Sequence, residues 1–491
     1  MPLPPVELLP LHDPTPWADP QNFEMDRLIR EYGTAMFLGN RSPGLASMTM
    51  RARAVGLDWT LPGQENHKGV PLPAVEFVPG ISLDLGNDIP DLAGGWEAPG
   101  LVNLSLLPGV ALYAGAFVLR ATPRLAIGVV PGVEPDLRIP DAWVGVDVGQ
   151  ARLGFGRESR WVGPGRFGNL LLSDNAVAPW MGSASGEATL PGKLKILGRF
   201  RAELGVGILD RPRADVQSPG LLMMDFRYLP IPQVEIGLSR LSIFGGKDRP
   251  AVDLGQLLLP TEPHIYGDPD QLRPDQNEQA SLDLRLTLPL KKWFKLPISY
   301  VEGWWEYGGE DMILRQTGSV KLPALAGVGN LFGAEVAVGP LTVTGEYSRL
   351  MDDYFRWYVG HRVYHDGFTQ ELRVLGHPGG PDSESWTAAV GWSADWGRLR
   401  LWGGALRRVG VVEAFNDRLF TLPQEEHRQH VGVEGSYYLP EGGMATVAYT
   451  LDHVTGQHFV PGADHFYHGV QLSLSPARRL SWQAGTGSTR R

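Results

Sequence analysis

Ser281-Leu-Asp-Leu-Arg-Leu-Thr-Leu288 sets four leucines on one side of an extended chain and Ser281, Asp283, Arg285 and Thr287 on the other. Successive side chains of a strand face opposite ways, so this octet predicts a strand with one apolar and one polar face. The same period of two runs outward in both directions from it. Met48, Met50, Ala52 and Ala54 alternate with Thr49, Arg51 and Arg53, and Gly198, Phe200, Ala202, Leu204 and Val206 alternate with Arg199, Arg201 and Glu203. Further runs occupy Leu341–Tyr347, Trp386–Ala394, Arg398–Leu406, His430–Tyr438, Met444–Asp452 and Val470–Ser475. A soluble sandwich buries such apolar faces between sheets, whereas a transmembrane barrel turns them to lipid and keeps the polar faces in its lumen. Alternation over most of 491 residues with no helical domain between strands favours the barrel. So do the aromatic clusters at expected strand ends, Trp304-Trp305, Tyr354, Trp357-Tyr358 and Tyr437-Tyr438. No fixed-length repeat of a propeller is visible.

Composition narrows the functions. The net charge is −10, which gives no basic face for nucleic acid. Cysteine is absent, excluding disulfides, thiolate metal sites and Cys nucleophiles. Fifteen Trp and fourteen Tyr in a chain with 20% charged residues suit a membrane interface or a sugar-binding surface. The start, Met1-Pro-Leu-Pro-Pro, has no basic and apolar leader, so a mature chain that has lost its export signal is expected. The long uncharged stretch Ala98–Leu119 holds Pro108-Gly109 and reads as two strands and a turn.

Residues 1–45 form a Pro-rich arm and one helical segment, expected to be periplasmic, and residues 46–491 the barrel with its extracellular loops. The helix is expected over Pro20–Gly33, capped by Asp19, with Phe23, Leu28, Ile29 and Tyr32 on one face. Lys247–Ala280 and Ala414–Arg428 read as long loops, and Leu439–Gly443 as a short turn. Outer-membrane barrels show that contrast, with long outer loops and short periplasmic turns.

Several motifs in order strengthen this reading. Gly156-Arg-Glu-Ser-Arg-Trp-Val-Gly-Pro-Gly-Arg-Phe-Gly-Asn-Leu-Leu-Leu-Ser-Asp-Asn-Ala-Val-Ala-Pro179 joins a Trp-x-Gly-Pro-Gly turn to a Leu-Leu-Ser-x-Asn-Ala segment. Asn277–Leu286, the turn-like Tyr307-Gly-Gly-Glu-Asp311, Tyr364-His-Asp-Gly367 and Leu375-Gly-His-Pro-Gly-Gly-Pro-Asp-Ser383 follow it. Together they resemble the capsule assembly Wzi family of outer-membrane barrels. The resemblance implies about eighteen strands, an N-terminal helical piece at the periplasmic end, and retention or export of surface polysaccharide. Arg160 and Trp161, which stand in place of a second aromatic pair, and the short helical content of the N-terminal arm depart from the family pattern.

No catalytic constellation emerges. Glu310-Asp311 is the best carboxylate pair, but neighbours in a strand diverge. There is no nucleophile elbow. The histidines at 427, 430, 453, 458, 465 and 468 lack zincin spacing, although a hairpin could join His453 to His468. Tyr266–Asp275 misses a calcium-loop pattern. The chain is therefore expected to be no enzyme, with no cofactor and no metal.

Arg51, Arg53, Arg199, Arg201 and Arg285, with Glu203 and Asp283, are expected to line the lumen. There they either offer guanidinium forks to an acidic polysaccharide or form a bracing ion-pair network. Trp304, Trp305, Tyr307, Tyr354, Arg356, Trp357, Tyr358 and Arg362 are the candidate polysaccharide contacts at the outer mouth, with the aromatic girdle as the alternative for the rings. The expected partners are outer-membrane lipid, surface polysaccharide and a polysaccharide export complex. A polysaccharide-binding protein and an export channel or general porin both remain open, divided by whether the lumen is plugged.

Overall fold

The computed structural model describes residues 40–41, 74–86, 102–128, 135–148, 150–209, 213–252, 254–258, 276–317, 320–351, 356–359, 361, 363–371, 373–415, 418–439, 444–475 and 480–483. Among them, eighteen antiparallel staves close into a barrel in chain order. The first six are β1 (Ala74–Gly86), β2 (Val102–Ala114), β3 (Phe117–Gly128), β4 (Asp136–Asp147), β5 (Ala151–Arg157) and β6 (Trp180–Thr189). Next come β7 (Arg199–Ile208), β8 (Gly220–Ile231), β9 (Val234–Phe244), β10 (Gln276–Leu288), β11 (Ile298–Thr317) and β12 (Val320–Val338). The last are β13 (Leu341–Leu350), β14 (Ser383–Ala394), β15 (Gly397–Phe415), β16 (Arg418–Tyr438), β17 (Met444–Thr455) and β18 (His465–Ser475 with Leu480–Gln483). Both pieces of β18 pair with β1, which shuts the ring and leaves no open sheet edge.

The two faces are inverted relative to a soluble protein. On β10, Leu282, Leu284 and Leu286 are exposed while Ser281, Asp283, Arg285 and Thr287 are buried. On β7, Leu204, Val206 and Ile208 are exposed and Arg201 and Glu203 buried. An apolar exterior around a polar interior is stable only where the exterior meets lipid. Rings border this belt. Phe155 stacks on Trp180, with Tyr347 and Trp386 exposed, towards one end; Phe200 stacks on Tyr228, Trp392 tilts on Trp396, and Tyr437 is exposed towards the other.

The connections differ between the ends. At one end the staves are joined by short links such as 115–116, 232–233, 339–340 and 395–396, and β1 begins and β18 ends there. The other end carries the connections 87–101, 158–179, 245–275 and 351–382. Two hairpins there rise above the rest, β11 and β12 at 20 and 19 residues and β15 and β16 at 19 and 21. They replace one expected long loop and one expected turn. Ala414–Arg428 is mostly paired strand rather than loop, and Tyr307–Asp311 runs inside β11 rather than turning. The expected turn at Pro108-Gly109 is likewise mid-stave, and the chain reverses at Gly115, whose φ is 63°.

Prolines cross the wall in a row. Pro79 of β1 lies opposite Pro108 of β2. Pairing of β2 with β3 lapses between Leu106↔Leu125 and Val110↔Ala121, where Pro108 meets Pro123, and β3–β4 shifts register beside Pro123 and Pro140. Proline has no amide to donate, so the β2–β3 and β3–β4 ladders are interrupted at this level, while β1 and β2 stay in register through Pro79↔Pro108.

The helix expected over Pro20–Gly33, the strand expected at Met48–Ala54 and the boundary at residue 46 lie outside the described residues. Asn40–Arg41 does pair with Trp161–Val162. No helix among the described residues is long and apolar enough to cross a membrane.

Outward Leu284, 41% exposed, tests the lipid-facing assignment. Leu284→Arg is expected to cost about 2–4 kcal/mol of folding stability in phospholipid vesicles, measured by denaturant titration. A neutral effect would contradict a lipid contact at this position.

Candidate functional site

Buried charges on the inner wall are paired with one another. Arg227 (β8) donates through Nε to Asp225 at 2.9 Å and through Nη1 to Asp283 of β10 at 2.7 Å, and Arg285 pairs with Glu235 of β9. Arg201 reaches Glu203 of its own stave at 3.2 Å and Glu187 of β6 at 3.3 Å, and Arg199 reaches Glu187 at 2.9 Å. These arginines and carboxylates brace the wall, since a buried charge left without a partner is strongly destabilising.

Two connections fold inward and meet in the lumen: an inner loop over 158–179, between β5 and β6, and a second over 351–382, between β13 and β14. The first spans the barrel. Glu158 accepts from Arg120 of β3, while Arg166 pairs with Glu302 of β11 and lies 3.8 Å from Glu335 of β12. Arg160 reaches Glu203 of β7 at 3.4 Å, and Phe167 packs against Ala389 of β14 and Trp402 of β15.

Wall carboxylates also hold the loop backbones. The amides of Arg166 and Phe167 donate to Glu346 of β13 at 2.6 and 3.1 Å, and Trp304 Nε1 donates to the same carboxylate at 3.0 Å. The Leu170 amide donates to Glu306 at 2.9 Å, and the Tyr358 amide donates to Glu310. Glu302, Glu306 and Glu310 recur every fourth residue along β11, and this spacing puts all three on the inner face.

The loops then seal against each other. Tyr358 Oη donates to the Leu170 carbonyl at 2.6 Å and accepts from the His377 amide at 2.8 Å. Ser173 donates its amide to Leu375 O at 2.8 Å and its hydroxyl to Gly376 O at 2.6 Å. A Cβ on Gly168 would stand 2.4 Å from the His377 ring, so the Gly-rich stretch of the first loop is where the second comes in. His377 is buried deeply enough that its pKa falls to about 3, and its ring stays neutral. Trp357, with no exposed surface, sits over Gly308 and Gly329, which face each other across β11 and β12. A Cβ at Gly329 would approach its indole to 2.7 Å, so the glycine pair makes the seat.

The candidate contacts therefore separate. Trp357 and Tyr358 belong to the core of the inner loops rather than to an exposed mouth, because the loop that carries them folds inward. Trp304 is buried on the inner wall as the seventh of the 20 residues of β11, not at the mouth. Trp305 and Tyr307 take the opposite face, where Trp305 stacks on Phe332 and tilts against Tyr307 as a girdle cluster does. Arg356 donates to Asp382 at 2.8 Å and keeps 20% of its side chain exposed. Tyr354, Arg362, Arg51 and Arg53 lie outside the described residues. Arg199, Arg201, Glu203, Asp283 and Arg285 face inward within the ion pairs above. His453 stacks on Phe466 rather than meeting His468, and no group of three metal-ligating side chains occurs among the described residues. Sequence reasoning passed over the glutamate ladder of β11; its signal was the recurrence 302, 306, 310 in a strand whose intervening residues include Trp305 and Tyr307.

Residues 108–393 match the family model described as capsule assembly protein Wzi. Among solved structures, the chain is similar to Wzi of Escherichia coli, an outer membrane protein involved in group 1 capsule assembly and described as a carbohydrate-binding β-barrel. Identity is 15%, the TM-score 0.62, and the alignment covers 93% of this chain and 98% of that one. Pseudomonas aeruginosa OprD matches at 10% identity and TM-score 0.49, over 85% of this chain and 97% of that one. No curated protein matches the sequence.

Two substitutions probe the inner loops. Glu346→Ala leaves the amides of Arg166 and Phe167 and the Trp304 indole without their acceptor, at about 1–3 kcal/mol for each donor that finds no replacement. Trp357→Ala opens a cavity over the glycine pair, at about 3–5 kcal/mol. Both are expected to speed tryptic cleavage after Arg166 while the closed wall still migrates as a heat-modifiable barrel. Unchanged cleavage in both would show that these contacts do not hold the loops.

Proposed function

The chain belongs to the Wzi capsule assembly family, and on that premise we propose that it binds surface polysaccharide and tethers it during capsule or exopolysaccharide assembly. The protein is an outer-membrane β-barrel. The observation that carries the binding reading is the loop-filled lumen: the loop 158–179 contacts staves from β3 to β15 and is locked to the second loop by one backbone and several side-chain-to-backbone hydrogen bonds. A sealed interior favours a binding protein over a general porin, whose lumen must admit water and solute. The carbohydrate binding described for Escherichia coli Wzi supports the same reading.

Contact with polysaccharide belongs at the long-loop end, which faces the cell exterior by the usual asymmetry of outer-membrane barrels. Arg356 at the edge of the second loop, with Tyr354 and Arg362 of the same segment, is the proposed contact. A guanidinium there suits the carboxylates of an acidic polymer. Lumen arginines already engaged by wall carboxylates are the weaker candidates. The protein is proposed to act without catalysis, since its sequence carries no nucleophile elbow and its adjacent carboxylates Glu310-Asp311 are strand neighbours that diverge. A polysaccharide export complex is the proposed protein partner.

Planar bilayers separate the two classes: the purified barrel is expected to give no steady single-channel current, and large steady currents would return the porin reading. In cells, Arg356→Ala is expected to lower polysaccharide retention without altering heat-modifiability. Normal retention would remove Arg356 from the site.

A further inference from the structure

The short-turn end carries a feature unrelated to polysaccharide. Five of the eight lysines in the chain, Lys193, Lys195, Lys291, Lys292 and Lys295, lie in two of its connections. One is the 3-10 turn Gly192–Leu197 between β6 and β7, and the other the helical turn Leu290–Phe294 between β10 and β11. Every residue of 191–197 and of 291–297 is exposed. The apolar side chains between the lysines are exposed too: Ile196 at 84% and Leu194 at 53%, Phe294 at 64% and Trp293 at 45%. Neither connection contains an acidic residue, in a chain whose net charge is −10.

The two turns share one rim, separated by the tight β8–β9 link at 232–233. Each continues directly from a lipid-facing stave, β7 below exposed Leu204 and β10 below exposed Leu286. Apolar side chains standing beside flexible ammonium groups at the edge of a hydrocarbon belt match a membrane interface. The rings and aliphatic groups enter the acyl boundary, and the lysine stems extend to bring charge to headgroup level. Arg227 and Arg285 of the inner wall are buried in ion pairs, whereas the cations of this rim are exposed lysines.

We propose that these two turns form a binding surface for anionic phospholipid headgroups in the leaflet at the short-turn end of the barrel. Continuity with the lipid-facing belt and the matched charge identify lipid as the occupant rather than a soluble protein. The attraction is electrostatic and weakens with salt.

The test uses the full-length barrel in mixed micelles of phosphatidylcholine and phosphatidylglycerol, with retained lipid measured by native mass spectrometry. Wild type is expected to enrich phosphatidylglycerol roughly fivefold, as several basic side chains near one surface would allow. Enrichment is expected to vanish when all five lysines become Gln, to persist when all five become Arg, and to fall with added salt. Heat-modifiable migration of each variant shows that the barrel is folded. Equal enrichment by wild type and the Gln variant, or none by wild type, overturns the proposal. So does a Gln variant that keeps its lipid preference but loses polysaccharide retention, which would assign the rim to a protein partner.

Discussion

A sheet that turns its apolar face to lipid must turn its charged face inward, where those charges have little water. The ion pairs described on the inner wall answer that constraint. Arg227 lies among Asp225, Glu235 and Asp283, and Arg201 between Glu187 and Glu203, so each of these cations is closed off by carboxylates of its own stave or of one at most two staves away. A buried pair of this kind adds little net stability, because desolvation offsets much of the attraction, yet removing one partner is costly. The inner wall is therefore a mutually dependent set of charges.

The same wall holds a surplus of acceptors on β11 and β13, and the inner loops supply the donors. Backbone amides of Arg166, Phe167, Leu170 and Tyr358 reach Glu346, Glu306 and Glu310. Amides are fixed in position by the chain, so bonds to them register the whole loop path and not just one side chain. Ring packing then makes the loops their own small core, with Leu170, Trp357, Tyr358 and Phe368 fully buried. A barrel built this way has packed loops crossing its interior.

Much of the wall was legible in sequence because period two is a local signal. The octet at 281–288 put Leu282, Leu284 and Leu286 outward and Asp283 and Arg285 inward, and the structure agrees. The inner loops were not legible by the same means. Trp357 and Tyr358 look like interfacial rings in sequence, since nothing local reveals that their loop turns inward; their burial depends on Gly308 and Gly329, distant in the chain. Glu310-Asp311 looked like a turn because Gly308-Gly309 precedes it. In the barrel those glycines remain strand, and Gly308 is there to admit an indole. Pro108-Gly109 misled for the related reason that proline normally ends a strand, and this wall tolerates it by interrupting its ladder at one level.

That proline row bears on how the ring is closed. The seam between the first and last staves lies beside it, and its two halves are out of step: from Ile81 to Phe77 the chain moves four residues along β1 and from Leu474 to Leu480 six along β18. Register in a continuous ladder propagates, so that one slip would turn every side chain beyond it to the wrong face. Here the registers of the two described strips, Ile81–Gly86 with Gly469–Leu474 and Ala74–Phe77 with Leu480–Gln483, differ by two residues. Two is an even step, so the pleat stays in phase and the side chains of both strips keep the same inward and outward alternation.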